Sequence, residues 1–245
     1  MAVFYGGQYR SVADIRGPSG FYNILLDGVN VPVYVDQGYS GGGWVMVLAN
    51  RINTGGMNNL TYEDAVQNCN YRTGGSGANS ANTVVNPTSK LAGLANYNAW
   101  IGLRHWQRLA GRATANKITV VQFVSATAGT TLTNTAAHTK RYRWQFDNFT
   151  NLFAFTNVAA VSVEAGPDTP GFYASHAAAG STLTTFDRDQ DSNGGNCATY
   201  YNNNPFWYNS CWSGNWFAGG SGYADAPYWT GSGSDFYNYG AVYIK

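Results

Sequence analysis

Asp187, Asp189 and Asp191 fall at alternate positions in the run Asp187-Arg188-Asp189-Gln190-Asp191-Ser192-Asn193-Gly194-Gly195-Asn196-Cys197. They are three of the chain's 13 acidic residues, so their crowding needs a chemical reason. Carboxylates at this spacing repel one another unless a positive charge sits between them. A hard cation such as Ca²⁺, taking about six to eight oxygen ligands, supplies that charge, and a Gly-rich turn can add main-chain carbonyls. The run opens like an EF-hand loop and then departs from it. Ser192 stands where the turn glycine belongs and Ala198 where the bidentate glutamate belongs. An Asp-x-Asp of the glycosyltransferase kind and a solvated acidic loop are the other readings of the same residues.

Residues for catalysis are scarce. His105, His138 and His176 are isolated and share no metal-ligand spacing. There is no Gly-x-Ser-x-Gly elbow and no phosphate-binding glycine loop ahead of a helix. Glu63 and Glu164 are the only glutamates, which leaves little for a two-carboxylate hydrolase. An enzyme is not expected.

Bulk composition narrows the partners. Net charge is +1 and 11% of residues are charged, against roughly 25% in ordinary domains, so neither nucleic acid nor an acidic membrane surface is an expected partner. The clusters Arg104, Arg108, Arg112 and Lys140, Arg141, Arg143 read as solvated faces. No apolar run approaches the roughly 18 residues that cross a membrane, so insertion is not expected. The first ten residues lack the pattern of a secretory signal.

The elements that must position the acidic run are mostly strands. β-branched and aromatic residues place strands at 21–26, 31–35, 44–49, 117–124, 141–146, 159–163 and 241–244. Helices are expected at 61–68, where Thr61 can cap and Glu63 and Asp64 occupy the first turn, and at 100–110. Paired glycines punctuate the rest. Of 38 aromatic residues, 15 lie between Tyr200 and Tyr243, a stretch poor in aliphatic residues. That imbalance points to an aromatic-walled binding subdomain, with a loop-rich core held by rings as the alternative.

Several stretches together carry a resemblance. They are Thr185-Phe186-Asp187-Arg188-Asp189-Gln190-Asp191, Asn196-Cys197-Ala198, and Phe206-Trp207-Tyr208-Asn209-Ser210-Cys211. Earlier come Ser19-Gly20-Phe21-Tyr22-Asn23-Ile24, Val33-Tyr34-Val35-Asp36, Gly41-Gly42-Gly43-Trp44 and Trp100-Ile101-Gly102-Leu103; later come Tyr223-Ala224-Asp225, Trp229 and Phe236-Tyr237. The whole resembles the fibrinogen-like domains of ficolins, tachylectins and the fibrinogen chains. The resemblance implies an α+β fold, with a mixed antiparallel sheet, few short helices and a loop-rich calcium- and ligand-binding subdomain at 180–245. It divides the chain into an N-terminal arm at 1–18 and one domain at 19–245.

The resemblance further implies that Asp189 and Asp191 give carboxylates, and Asn193 and Gly195 carbonyls, to Ca²⁺, with Asp187 outside that shell. It implies a disulfide between Cys197 and Cys211. The family's ligand pocket would correspond to Tyr201, Ser210, Cys211, Trp212, Tyr223, Ala224 and Phe236 or Tyr237, with a cis bond joining Ser210 to Cys211. The sequence departs from the pattern in three places. Trp212 stands where acetyl-binding members carry His, Val35 stands where the second cysteine of an N-terminal disulfide would be, and the Cys197–Cys211 spacing is one residue long. Cys69 is left as an odd thiol, expected to be buried rather than reactive.

The expectation that follows is a calcium-dependent recognition module for carbohydrate or acylated groups, such as an acetylated glycan on a cell surface. A homo-oligomer, with a trimer favoured, or attachment to a larger assembly would raise its avidity. The composition and the signal-free start favour display on a virion, as a host-receptor-binding, fibre or decoration protein. The alternatives are a purely structural particle protein with a vestigial pocket, and a secreted lectin whose signal has been removed.

Overall fold

The computed structural model describes residues 4–51, 57–73, 97–110, 118–125, 140–146, 158–165, 181–211, 217 and 239–245. Ten strands among them form one sheet. Its main path runs β1 (Phe4–Tyr9), β2 (Gly20–Leu26), β3 (Val29–Asp36), β4 (Trp44–Arg51), then β12 (Tyr239–Ile244), β7 (Ile118–Ser125), β8 (Lys140–Phe146) and β9 (Val158–Ala165). β5 (Cys69–Thr73) and β6 (Tyr97–Ile101) branch off β4. The pair β1–β2 is parallel and the other pairs are antiparallel, so the sheet is mixed, as expected. β12 lies between β4 and β7, and Ala241, Val242, Tyr243 and Ile244 are wholly buried there.

The strands expected from β-branched and aromatic runs are all present, within one or two residues at most boundaries. The β2–β3 turn shows how local chemistry sets register. Asp27 and Gly28 have φ of 49° and 83°, the doubly left-handed turn that matches the twist of a two-residue hairpin, and Leu26 faces Val29 across it.

Helix α1 (Tyr62–Gln67) begins where Thr61 predicts. The Thr61 hydroxyl accepts the N–H of Asp64 at 3.0 Å while the Asp64 carboxylate accepts that of Thr61 at 3.4 Å, a reciprocal capping box. The single helix expected over 100–110 is instead broken. Trp100 and Ile101 end β6, Leu103–His105 make one 3-10 turn, and α2 is only Trp106–Leu109. Residues 100 and 101 pair with β5, and Gly102 lets the chain turn tightly against α1, since a Cβ there would lie 2.7 Å from the Val66 carbonyl and 2.9 Å from that of Asn68. The backbone must pass close to α1 at that point, and the two tryptophans then pack at 5.5 Å on either side of it. Each buried indole N–H finds a carbonyl, Trp100 on Ala65 at 2.9 Å and Trp106 on Ile101 at 2.8 Å.

Residues 1–18 were expected as an arm, but those described are docked. β1 adds an edge to the sheet, Val12 and Ile15 are buried in the core, and Tyr9 meets Tyr22 edge-on at 5.5 Å. Burying two aliphatic side chains is worth a few kcal/mol, about 1.5–3 each, which holds the segment down.

Candidate functional site

The acidic run forms a loop between two small elements. Upstream, β10 (Thr182–Thr184) pairs with β11 (Phe206–Tyr208) in a separate two-stranded sheet. Downstream, α3 (Cys197–Tyr200) is capped by Asn196, whose side-chain oxygen accepts the Thr199 N–H at 3.1 Å. The other end of the Asn196 amide donates to the Thr185 carbonyl at 2.9 Å, closing the loop across its base.

Inside the loop, side chains at alternate positions take the N–H two residues on. Asp189 accepts from Asp191 at 3.3 Å, Asp191 from Asn193 at 3.0 Å, and Asn193 from Gly195 at 3.1 Å. The second oxygen of Asp191 accepts the Cys197 N–H at 3.0 Å. This periodicity is the structural reason for the two-residue spacing in the sequence, since Asp and Asn readily fold back on their own backbone. The four residues expected around a metal, Asp189, Asp191, Asn193 and Gly195, are thus gathered in one compact loop.

The electrostatics are uneven. Asp189 is exposed, whereas Asp191 is half-buried. Burial pushes the Asp191 carboxyl above its ordinary value, the N–H groups of Cys197 and Asn193 oppose this, and the charge of Asp189 beside it raises it further. Among the described residues, the carbonyl oxygens of Asn193 and Gly195 accept no hydrogen bond. Carboxylates and main-chain carbonyls in one loop are hard-oxygen donors, the type a calcium-like cation takes. Among the described residues no three His, Cys, Asp or Glu side chains come together for a metal, so an ion here would depend on main-chain oxygens as well.

Asp187 is occupied elsewhere: its carboxylate accepts the Tyr62 N–H at 2.9 Å and the Thr185 hydroxyl at 2.7 Å. The next residue, Arg188, lays its guanidinium 4.0 Å over the centre of the Tyr62 ring.

The loop leans on the segment expected to hold a ligand. Ser192 donates its N–H to the Asn209 carbonyl at 2.8 Å and its hydroxyl to the Asn209 side-chain oxygen at 2.5 Å. Cys197 and Cys211 form the expected disulfide, with Cα atoms 4.9 Å apart. The bond between Ser210 and Cys211 is trans, against the cis bond the resemblance implied. The backbone turns there through a left-handed Cys211, φ 66°.

Ser210 is exposed, and Tyr201 is half-buried and stacks on Tyr208 with ring centres 5.9 Å apart. Trp212, Tyr223, Ala224, Phe236 and Tyr237 lie outside the described residues. The rings of this region that are described serve the core more than a cavity. Phe206, Trp207, Tyr208, Phe217 and Tyr243 are all at most 1% exposed, and Tyr200, at 64%, is the open one. With few aliphatic residues nearby, aromatic rings must fill the interior themselves.

A second feature had no local signal in the sequence. Asp27, at the hairpin turn, holds Arg104 at 2.6 Å and Arg108 at 3.4 Å. These two arginines are paired with Asp27 but still lie on a solvated face, with side chains 45% and 44% exposed; Arg112 lies outside the described residues. Asp27 and Arg104 line a cleft of about 830 Å³ that also reaches Cys69, His105 and Arg188. Cys69 is half-buried at the edge of this cleft, not fully buried as expected, and burial pushes its thiol up to about 12, the direction of a less reactive cysteine.

The family model for the C-terminal globular domain of the fibrinogen beta and gamma chains matches residues 11–239. Solved structures with a similar fold include the fibrinogen-like globe domain of human ANGPTL2, at 21% identity and TM-score 0.61, covering 97% of this chain and 98% of that one. The corresponding globe domain of human ANGPTL6 is similar at 19% identity and TM-score 0.59, covering 98% and 96%. A lamprey fibrin D-dimer, complexed with the peptide ligand Gly-His-Arg-Pro-amide, is similar at 14% identity and TM-score 0.59, covering 97% of this chain and 73% of that one. No curated protein matches the chain in sequence.

Proposed function

Because the protein belongs to the family of C-terminal globular domains found in the fibrinogen beta and gamma chains, whose members are non-enzymatic recognition modules, we propose that it binds carbohydrate or acylated surface groups in a calcium-dependent way. The observation that carries this reading is the loop at 189–195. It holds a half-buried Asp191 next to Asp189, in a stretch whose Asn193 and Gly195 carbonyls accept no hydrogen bond among the described residues, and is tied through Ser192 to the disulfide-closed segment ending at Cys211.

Asp189, Asp191, Asn193 and Gly195 are the residues that would hold Ca²⁺, and the ion would supply the charge that cancels the repulsion of the two carboxylates. The rest is work for the protein. The Ser192–Asn209 bonds fix the distance from the loop to the ligand segment, and the Cys197–Cys211 bond limits how far that segment can open. Ser210, Cys211 and Tyr201 would form the near wall of the pocket, with Trp212, Tyr223, Ala224, Phe236 and Tyr237 as its proposed remaining lining.

Presentation outside a cell or on a virion surface fits the disulfide, which persists in oxidising surroundings. Oligomerisation or attachment to a larger assembly would compensate for weak single-site affinity.

The burial of Phe206, Trp207, Tyr208 and Phe217 is on the side of a second reading. In it the same fold decorates an assembly and its rings serve stability alone. The lamprey fibrin's peptide ligand makes a peptide the alternative occupant of a working pocket. A glycan and peptide array run with Ca²⁺ and with EDTA separates these. Calcium-dependent glycan binding that is lost in Asp191→Asn supports the proposal. Peptide binding alone corrects the ligand class, and no binding at high protein concentration favours the decoration role.

A further inference from the structure

The cleft beside α1 contains more charge than its ion pairs use. Asp27 and Arg104 line it and neutralise each other at 2.6 Å, with Arg108 completing the clamp. Asp64 also lines it, but its carboxylate is engaged by the Thr61 N–H and by the Asn68 amide at 3.0 Å. Glu63 and Arg188 remain. Both line the cleft, and among the described residues neither is in an ion pair or makes a side-chain hydrogen bond.

Arg188 is also held in place. Its N–H donates to the Thr185 carbonyl at 3.1 Å, its own carbonyl accepts the Thr185 N–H at 3.0 Å, and its guanidinium rests on the Tyr62 ring. Tyr62 in turn is fixed through its N–H on Asp187. A guanidinium carried on a ring face keeps its in-plane N–H donors free, which is the geometry that takes a carboxylate in two parallel bonds.

Glu63 then decides what kind of anion fits. A bare anion at Arg188 would feel the neighbouring carboxylate as repulsion. A ligand that carries hydroxyl groups next to its acid would donate them to Glu63 and to the nearby Gln67 and Asn68 amides, turning that repulsion into hydrogen bonds. The volume, about 830 Å³, is in the range of roughly 300–1,000 Å³ for small-molecule sites. In the same cleft the Cys69 thiol is pushed up to about 12 by burial, and His105 Nε2 meets the Gln67 carbonyl at 2.8 Å.

We propose that this cleft is a second ligand site, distinct from the calcium ligands at 189–195 although Arg188 directly precedes them, that takes an acidic sugar with its carboxylate on Arg188 and its hydroxyls on Glu63. The inference rests on the reading of the protein as a sugar-recognition module and adds the ligand's charge and a place for it.

Calorimetric titration of the full-length protein in Ca²⁺ tests it, using a glucuronate-containing disaccharide, the matching neutral glucose disaccharide, and inorganic phosphate. The acidic disaccharide is expected to bind at least about tenfold more tightly than either of the others. Arg188→Ala is expected to lower that affinity about tenfold or more, the loss of a charge-assisted pair, with melting temperature and calcium binding unchanged. Arg188→Lys, which keeps the charge without the fork, should recover only part of it. Equal binding of the neutral sugar, no binding of the acidic one, or an affinity indifferent to Arg188→Ala overturns the inference. If Asp191→Asn abolishes binding of the acidic sugar while Arg188→Ala leaves it intact, the sugar sits at the calcium loop. That result removes the second site and leaves the proposed function standing.

Discussion

The Asp187 carboxylate accepts the backbone N–H of Tyr62 at 2.9 Å across 125 residues of sequence, at the first turn of α1. The first acid of the alternating run is therefore spent on holding the loop to the helix, and the two that follow are left for other work. Removing it unties a helix start and frees a Thr185 hydroxyl at once. Asp187→Ala is expected to cost about 1 kcal/mol of stability, the usual worth of a lost N-terminal cap, read as a lower urea midpoint. Calcium affinity should change by less than about threefold, since Asp187 does not belong to the proposed ligand set. A loss as large as that of Asp189→Asn would put Asp187 back among the ligands.

What could be read from the sequence alone was whatever each residue's near neighbours decide. The strand Val29–Asp36 and the capped start at Thr61 are local patterns, and both are where the residues place them. The two-residue spacing at 189–195 is visible in the sequence, but it reads there as a cation's ligand pattern; the bonds from each side chain to the backbone two residues on are not foreseen. β5, with the sequence Cys-Asn-Tyr-Arg-Thr, has no such signature and is a strand because β6 lies beside it. β1 carries two glycines and pairs in parallel through a register shift between Tyr5 and Gln8, which no alternation of residue types announces. The clamp of Asp27 on Arg104 joins residues 77 apart and depends on the fold already being made. Composition alone does not separate a pocket from a core, since a crowd of rings signals either; those described are mostly core, and the rings expected to line the pocket from Trp212 onward lie outside the described residues.

The Cys197–Cys211 bond closes a short loop, with a sequence separation of 14. Closure at this length is worth about 3 kcal/mol in the unfolded state by the loop-entropy argument. The double variant Cys197→Ser, Cys211→Ser is expected to lose about that much. It should also bind Ca²⁺ more weakly, because Ser192 and Asn209 would no longer be held together at both ends. Denaturant melts of the variant and of the reduced parent, with and without Ca²⁺, check both effects. Unchanged stability would mean that packing around Phe206, Trp207 and Tyr208 alone fixes this region.

His105 gives the protein a dependence on acidity. Its ring is buried, which pulls the imidazole below its ordinary value of 6.5; the bond to the Gln67 carbonyl opposes this, Arg104 and Arg108 reinforce it, and Asp27 opposes it. With the folded value lower than the unfolded one, the unfolded state takes up a proton first as pH falls through about 6.5. Stability contributed by the neutral ring is full above that pH and is lost progressively below it, down to the folded value. Urea midpoints between about pH 7.5 and 5.5 should therefore fall. His105→Gln, though less stable at neutral pH, should show a shallower slope over that window. Parallel slopes for parent and variant would assign the acid sensitivity to other groups.

Cys69 offers a test of how tightly β5, Gly102 and the cleft are closed. Burial dominates in raising its thiol to about 12, against the pull of the Gly102 backbone and Arg104. At pH 8 a thiol with that value is about one part in ten thousand thiolate, and the thiolate is the reacting form. Alkylation of native protein by iodoacetamide should accordingly be slower by more than about a hundredfold than in urea, where the thiol returns to its free value near 8.5. Gly102→Ala would force its new methyl to 2.7 Å from the Val66 carbonyl and should pry this contact open. The expected result is a less stable protein whose Cys69 reacts faster than the parent's under native conditions. Rapid alkylation of the parent itself would mean that the cleft opens readily, and the rate would then report the cost of that opening.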